Sequence, residues 1–183
     1  MNNSYAILAE YRPSQEILFL LQEMMLTETC FPDLFEIDPF GKVRGALVPG
    51  RLNGAACFHW SRQVEWPWAI LESDLKPHHV VLELGSGASV FTFCLARRCS
   101  SLIASDLDQK TIELTKTRAE VLGLENIQSL TIDARSIPFP DNHFDRVFCI
   151  STLEHVKDDL DMAFSEIKRV TKLGGMVLIT CDL

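Results

Sequence analysis

From Val80 onward, short apolar runs alternate with amphipathic helical segments, and this alternation constrains the fold more than any other feature. Val80-Val81-Leu82-Glu83-Leu84 is an apolar run that breaks at Gly85-Ser86-Gly87. Residues 89–98 then read as a helix, and 102–105 as a second strand stopped by Asp106. Asp108 is suited to cap the next helix, whose Ile112, Thr115, Ala119 and Leu122 share one face and which Gly123 ends. Residues 127–132 and 145–150 read as further strands. Leu160, Ala163, Phe164, Ile167 and Val170 mark another helix, and Gly174-Gly175 opens a fifth strand over 176–180. Runs this short suit strands rather than helices. Strands alternating with helices give parallel strands joined by right-handed crossovers. The predicted class is therefore α/β, a doubly wound, mostly parallel sheet.

The front of the chain has a different texture. Residues 14–25 read as a helix, with apolar positions at Ile17, Leu20, Leu21 and Met24. A Pro- and Gly-rich stretch, 32–54, reads as loops and short strands. Ser61-Arg62-Gln63-Val64-Glu65-Trp66-Pro67-Trp68 follows, and Pro67 suits the first turn of a helix leading into the regular part. The division is drawn near Lys76-Pro77: 1–75 as an N-terminal helical and loop extension, 76–183 as the main domain.

Composition removes several classes. With 183 residues the chain has room for one domain and an arm. Hydrophobic residues at 47% exclude an intrinsically disordered chain. A formal charge of −8 disfavours binding to phosphate backbones, so no nucleic acid partner is expected. The longest stretch without a charged residue, 84–96, is too short to span a bilayer, so no membrane partner is expected. Met1-Asn2-Asn3-Ser4 lacks the basic and apolar pattern of a secretory signal.

Six cysteines, Cys30, Cys57, Cys94, Cys99, Cys149 and Cys181, form no C-x-x-C pair. They read as reduced thiols, which points to a cytoplasmic protein. His59, His78, His79, His143 and His155 fall at no ligand spacing with them, so no metal is expected. His78-His79 reads as a solvated turn and His143 as a surface residue in a polar loop.

The chemistry concentrates where strands end. Glycines after the first strand allow a tight turn and close backbone approach to a ligand, and the following helix offers free N–H groups. Asp106, nineteen residues past Gly87, can accept hydrogen bonds from both hydroxyls of a ribose; its plainer role is helix capping alongside Asp108. A nicotinamide dinucleotide would require a small sixth residue in the glycine motif, where this chain has Val90. Glu83, two residues before Gly85, is also poorly placed for a pyrophosphate. It suits a cofactor with a positive charge and an amino group.

The segment 80–179 resembles the class I S-adenosylmethionine-dependent methyltransferases of the type 11 group. Glu83-Leu84-Gly85-Ser86-Gly87 is similar to the family's first motif, and Asp106 to its ribose-binding acid. The run from Asp133 through Pro138 to Asp145 resembles the segment after the third strand. Ser151-Thr152-Leu153-Glu154-His155-Val156 resembles the segment after the fourth, and 166–175 the helix and turn before the fifth. The resemblance implies a Rossmann-like sheet, S-adenosyl-L-methionine as cofactor and methyl transfer (EC 2.1.1 class) to a small-molecule acceptor.

Carried over by position, the resemblance implies that Gly85, Ser86 and Gly87 pass beneath the cofactor's amino-acid portion while Glu83 orients its ammonium. Asp106 holds the ribose and Leu107 packs on the adenine. Asp133 accepts from the adenine amino group, Ala134 donates its backbone N–H, and Ser151 lies near the methionine part. Arg62, Glu65, Trp66 and Trp68 resemble a segment expected to lid the cofactor or line the acceptor pocket; the plainer reading is a packed aromatic helix start. His155, after the fourth strand, is the candidate general base, since histidine as a residue type titrates near neutrality.

This chain departs from the family at Ser89 (often glycine), at Leu173 (usually proline) and at its end. Family members continue past the fifth strand with a helix and two antiparallel strands, whereas this chain stops at Leu183. The fifth strand is then expected to be an open edge that could pair with another chain or a further segment. The alternative reading is a non-catalytic or catalytically incomplete cofactor-binding module.

Overall fold

The computed structural model describes residues 14–28, 30, 61–87, 89–156 and 158–181. The predicted loop region 32–54, Cys57 and His59 lie outside the described residues. Five strands form one parallel sheet: β1 (Val80–Leu84), β2 (Ser101–Asp106), β3 (Ile127–Thr131), β4 (Phe144–Ile150) and β5 (Thr171–Thr180). Their spatial order is β3-β2-β1-β4-β5. The chain adds strands in one direction from β1 to β3, then returns to pair β4 with the other edge of β1. That reversal creates a crevice at the carboxyl ends of β1 and β4.

The helices α1 (Gln15–Glu28), α2 (Arg62–Glu72), α3 (Val90–Ala96), α4 (Gln109–Val121) and α5 (Leu160–Val170) cover the sheet. Right-handed crossovers force α3 and α4 onto one face and α5 onto the other once the direction of strand addition reverses. Two cores result. On one side Val81, Phe91, Leu102 and Phe148 pack with Leu20 and Met24 of α1 and Trp66 and Ile70 of α2. On the other, Leu82, Leu84, Ile103 and Val147 pack with Ala163, Ile167 and Val170 of α5. Phe91, Phe93, Phe144 and Phe148 are fully buried, each contributing about 2 kcal/mol of burial free energy.

α1 and α2 are bonded into the sheet region as well as packed on it. Arg146 of β4 is buried and donates to the carbonyl oxygens of Ser73 and Asp74, just past α2. Glu23 of α1 pairs with Arg97 and Arg98 past α3. Burial holds Leu20 and Met24 inward as the helical spacing predicts, while Leu18, Phe19 and Leu26 remain exposed.

Several local expectations need correction. Pro67 does not open a helix: α2 starts at Arg62, and Pro67 lies inside it. Burial of Trp66, Ala69 and Ile70 on one side holds that turn helical. His79 is not solvated; it is buried, and its Nδ1 accepts from the Lys76 backbone N–H at 3.2 Å. His143 is half-buried, stacked on Phe139 and edge-on to Phe144. β5 is assigned from Thr171, but its regular pairing with β4 begins at Met176, after an irregularity that carries Leu173 out into solvent. Asp108 caps α4 by accepting from the Lys110 N–H at 3.1 Å, as the sequence suggests.

Candidate functional site

A cleft of about 460 Å³ opens at the carboxyl ends of β1, β2 and β4. Gly85, Asp106, Leu107, Asp133, Ala134, Ser151 and His155 line it, together with Leu84, Ile132, Arg135, Thr152, Val156 and Asp158. Seven of the residues predicted from sequence thus meet in one place, although they span 71 positions (from 85 to 155).

Gly85 sits where only glycine fits. Its φ is +71°, and a Cβ built there would lie 2.2 Å from Thr152 Oγ1 and 2.4 Å from its Cγ2. The Thr152 hydroxyl is within hydrogen-bonding reach of both the Leu84 and Ile150 carbonyls, at 3.2 and 3.0 Å. It therefore joins the ends of β1 and β4 at the floor of the cleft. Asp106 fixes the opposite wall. Its Oδ2 accepts from the Gly87 N–H and its Oδ1 from the Asp108 N–H, both at 3.0 Å. Both the ligand-facing and the capping readings of Asp106 are therefore compatible with its geometry, since each carboxylate oxygen has a second lone pair.

Asp133 is more committed than the sequence suggests. Arg135 grips it through its backbone N–H and its guanidinium, at 2.7 to 3.2 Å. Those bonds hold its carboxyl below the ordinary aspartate range. Ser151 has φ +46°, a left-handed conformation unusual outside glycine. Its hydroxyl accepts from Arg62 and faces Glu65 at 3.3 Å, while Arg62 and Glu65 pair with each other.

Other predicted residues stand outside the lining. Glu83 is 3% exposed, and its side chain lies on the α3 face of β1. Burial pushes its carboxyl up to about 8. Ser86 is buried beside it in sequence, and Gly87 is exposed at the rim. Trp66 is in the core, stacked on Phe91 with ring centroids 5.9 Å apart; the packed-helix reading describes its position. Trp68 faces solvent, 41% exposed. Arg62 and Glu65 meet the site at Ser151. His155 is exposed at the cleft wall, in a short 3-10 turn, Leu153–His155.

Sequence reasoning missed Thr152 and Arg135 as site residues. An arginine two positions after Asp133 was a readable signal for local pairing. Nothing local to Thr152 marks its contact with Gly85, 67 positions away. Cys94 and Cys149 are buried with thiols pushed up to about 12 by desolvation, and Cys99 to about 11; none is a nucleophile at neutral pH. Among the described residues no three metal-ligating side chains converge.

The residues fit S-adenosylmethionine. Gly85 leaves a cradle that any side chain would fill. Asp106 offers acceptors at the end of β2, and among the described residues Glu83 Oε2 is buried without a hydrogen-bond partner, next to the glycine turn.

The family model described as a methyltransferase domain matches residues 82–179, more than half of the chain. An uncharacterized methyltransferase of Bacillus subtilis, YcgJ, is 29% identical over 110 residues, covering 60% of this chain and 43% of that one. The ubiquinone/menaquinone biosynthesis C-methyltransferase UbiE of Burkholderia multivorans is 29% identical over 115 residues, covering 61% and 46%. Among solved structures, a SAM-dependent methyltransferase from Aquifex aeolicus superposes with a TM-score of 0.55 at 27% identity, covering 62% of this chain and 63% of its own. The chain thus spans less than half the length of these two curated relatives. Taken with the parallel sheet and the glycine-cradled cleft, the match shows that the chain belongs to the S-adenosylmethionine-dependent methyltransferase family.

Proposed function

We propose that this chain binds S-adenosylmethionine in the β1–β2–β4 cleft and transfers its methyl group to a small-molecule acceptor. The observation that carries this reading is the Gly85 cradle closed by Thr152 and flanked by Asp106. When bound, the cofactor supplies a methyl group already activated on a positively charged sulfur. The protein's task is then alignment and exclusion of water rather than bond activation.

In this reading Asp106 accepts from the ribose hydroxyls, and Leu107 covers the adenine. Asp133 accepts from the adenine amino group through lone pairs that Arg135 leaves open, and the Ala134 N–H donates to the ring. Ser151 contacts the methionine part, with Arg62 and Glu65 fixing its hydroxyl from α2. Residues 1–75 act as the arm that supplies this support, and 76–183 as the cofactor domain. His155 receives a proton from acceptors that must lose one. The acidic lining, Asp106, Asp133 and Asp158 against Arg135, favours a neutral or cationic acceptor over nucleic acid.

Calorimetric titration with S-adenosylmethionine and, separately, NAD tests the cofactor. Micromolar binding of the first and none of the second is expected, and Asp106→Ala should remove most of it. Absence of S-adenosylmethionine binding contradicts the reading, and unchanged affinity in Asp106→Ala contradicts the ribose assignment. With methyl-labelled cofactor and cell extract, label should enter the small-molecule fraction; label in nucleic acid or protein would contradict the acceptor class.

A further inference from the structure

Glu83 carries a buried carboxyl group for which the described residues supply no cation, only the nearby Thr92 hydroxyl favouring its charged form. Its Oε2 has no hydrogen-bond partner, and neither has Thr92 Oγ1 or Ser86 Oγ, buried in the same β1–α3 corner, among the described residues. The strands on either side pair it with Ala104 and Phe148, which offer no charge. From β2 the charged group that bears on it is Asp106, a second acid. Cys99, which also senses it, carries a thiol that stays neutral well above neutral pH. The cations of the neighbouring helices and loops are committed elsewhere: Arg62 to Glu65 and Ser151, Arg97 and Arg98 to Glu23, Arg135 to Asp133. An uncompensated buried carboxylate is costly enough that the group takes up a proton instead. Leu84 and Gly85, the next residues along the chain, line the cleft. A positive charge placed there acts on Glu83 through a low-dielectric interior.

We propose that Glu83 is protonated while the cleft is empty and releases that proton when a cationic ligand enters, so that binding of S-adenosylmethionine is linked to proton release. The inference rests on the cofactor assignment above. The bond broken is the Glu83 O–H, the proton passes to the buffer, and the ligand's positive charge compensates the carboxylate that remains. Desolvation raises the Glu83 pKa to about 8, so at pH 7 the protonated form predominates.

The test is calorimetric titration of the full chain with S-adenosylmethionine at pH 7 in phosphate and in Tris, whose ionisation enthalpies differ. Wild-type heats should differ between the buffers by the amount for about one released proton. The Glu83→Gln variant should bind with that difference largely abolished. Wild-type affinity should also rise by up to about tenfold per pH unit from pH 6 to 7.5 and level off above 8. Binding with neither buffer dependence nor pH slope overturns the proposal and leaves the cofactor assignment standing. Retention of both effects in Glu83→Gln assigns the proton to another group and also overturns it. Failure of the wild type to bind overturns both readings. Should Glu83→Gln not fold, the two wild-type measurements decide.

Discussion

Glu83 and Asp145 lie on adjacent strands at opposite ends of one sheet, and the fold treats them in opposite ways. Asp145, at the start of β4, accepts from the Val80 N–H at 2.8 Å and from Lys172 at 2.9 Å through both oxygens. Burial alone would raise its pKa, yet these partners hold it below the ordinary aspartate range. Glu83, near the end of β1, is more deeply buried and meets no cation among the described residues, so desolvation raises its pKa against the weaker pull of the Thr92 hydroxyl. The amino end of the sheet is therefore electrostatically finished at Asp145, whereas at the carboxyl end Glu83 is left with no cation among the described residues. The uncompensated carboxyl marks the end where a cationic ligand belongs.

The largest test of that contrast acts on the ligand end alone. Gly85→Ala forces a Cβ into Thr152 at a positive φ, and S-adenosylmethionine affinity should fall by about a hundredfold or more. Near-wild-type affinity by calorimetry would refute the cradle. Asp145→Ala attacks the finished end. It strips the Val80 N–H and Lys172 of their acceptor and should cost about 2 kcal/mol in chemical denaturation. The stability Asp145 contributes is present above the ordinary aspartate pKa and lost as pH falls below it. A stability unchanged by this substitution would remove the contrast between the two ends.

A third comparison separates the two carboxyls by sign. Because the folded-state pKa of Glu83 is raised, its ionisation penalises the fold progressively from about pH 4.5 to about pH 8. Wild type should therefore lose more thermal stability between pH 5 and 8 than Glu83→Gln does. Parallel melting curves across that range would mean that Glu83 ionises at no cost in the fold.

The sheet and the switch between β1 and β4 are legible from sequence because apolar runs, glycine stops and amphipathic spacing are local signals. Asp106 was legible for the same reason: its distance from the glycine turn is set by one helix and one strand. The state of Glu83 was not legible, because it depends on Ala104, Phe148 and Asp106 being its neighbours and on no arginine among the described residues reaching it. Trp66 illustrates the same limit. An aromatic at a helix start reads equally as lid or core, and only the position of Phe91 decides. Arg62 reaches Ser151 across 89 positions, a contact that no local pattern encodes.

Carbon-13 NMR titration of the side-chain carboxyls of Glu83 and Asp145 in the ligand-free protein reads the contrast between the two ends directly. Glu83 should titrate near pH 8 and Asp145 below the ordinary aspartate range. Glu83 titrating near 4.5, like an exposed glutamate, would contradict it.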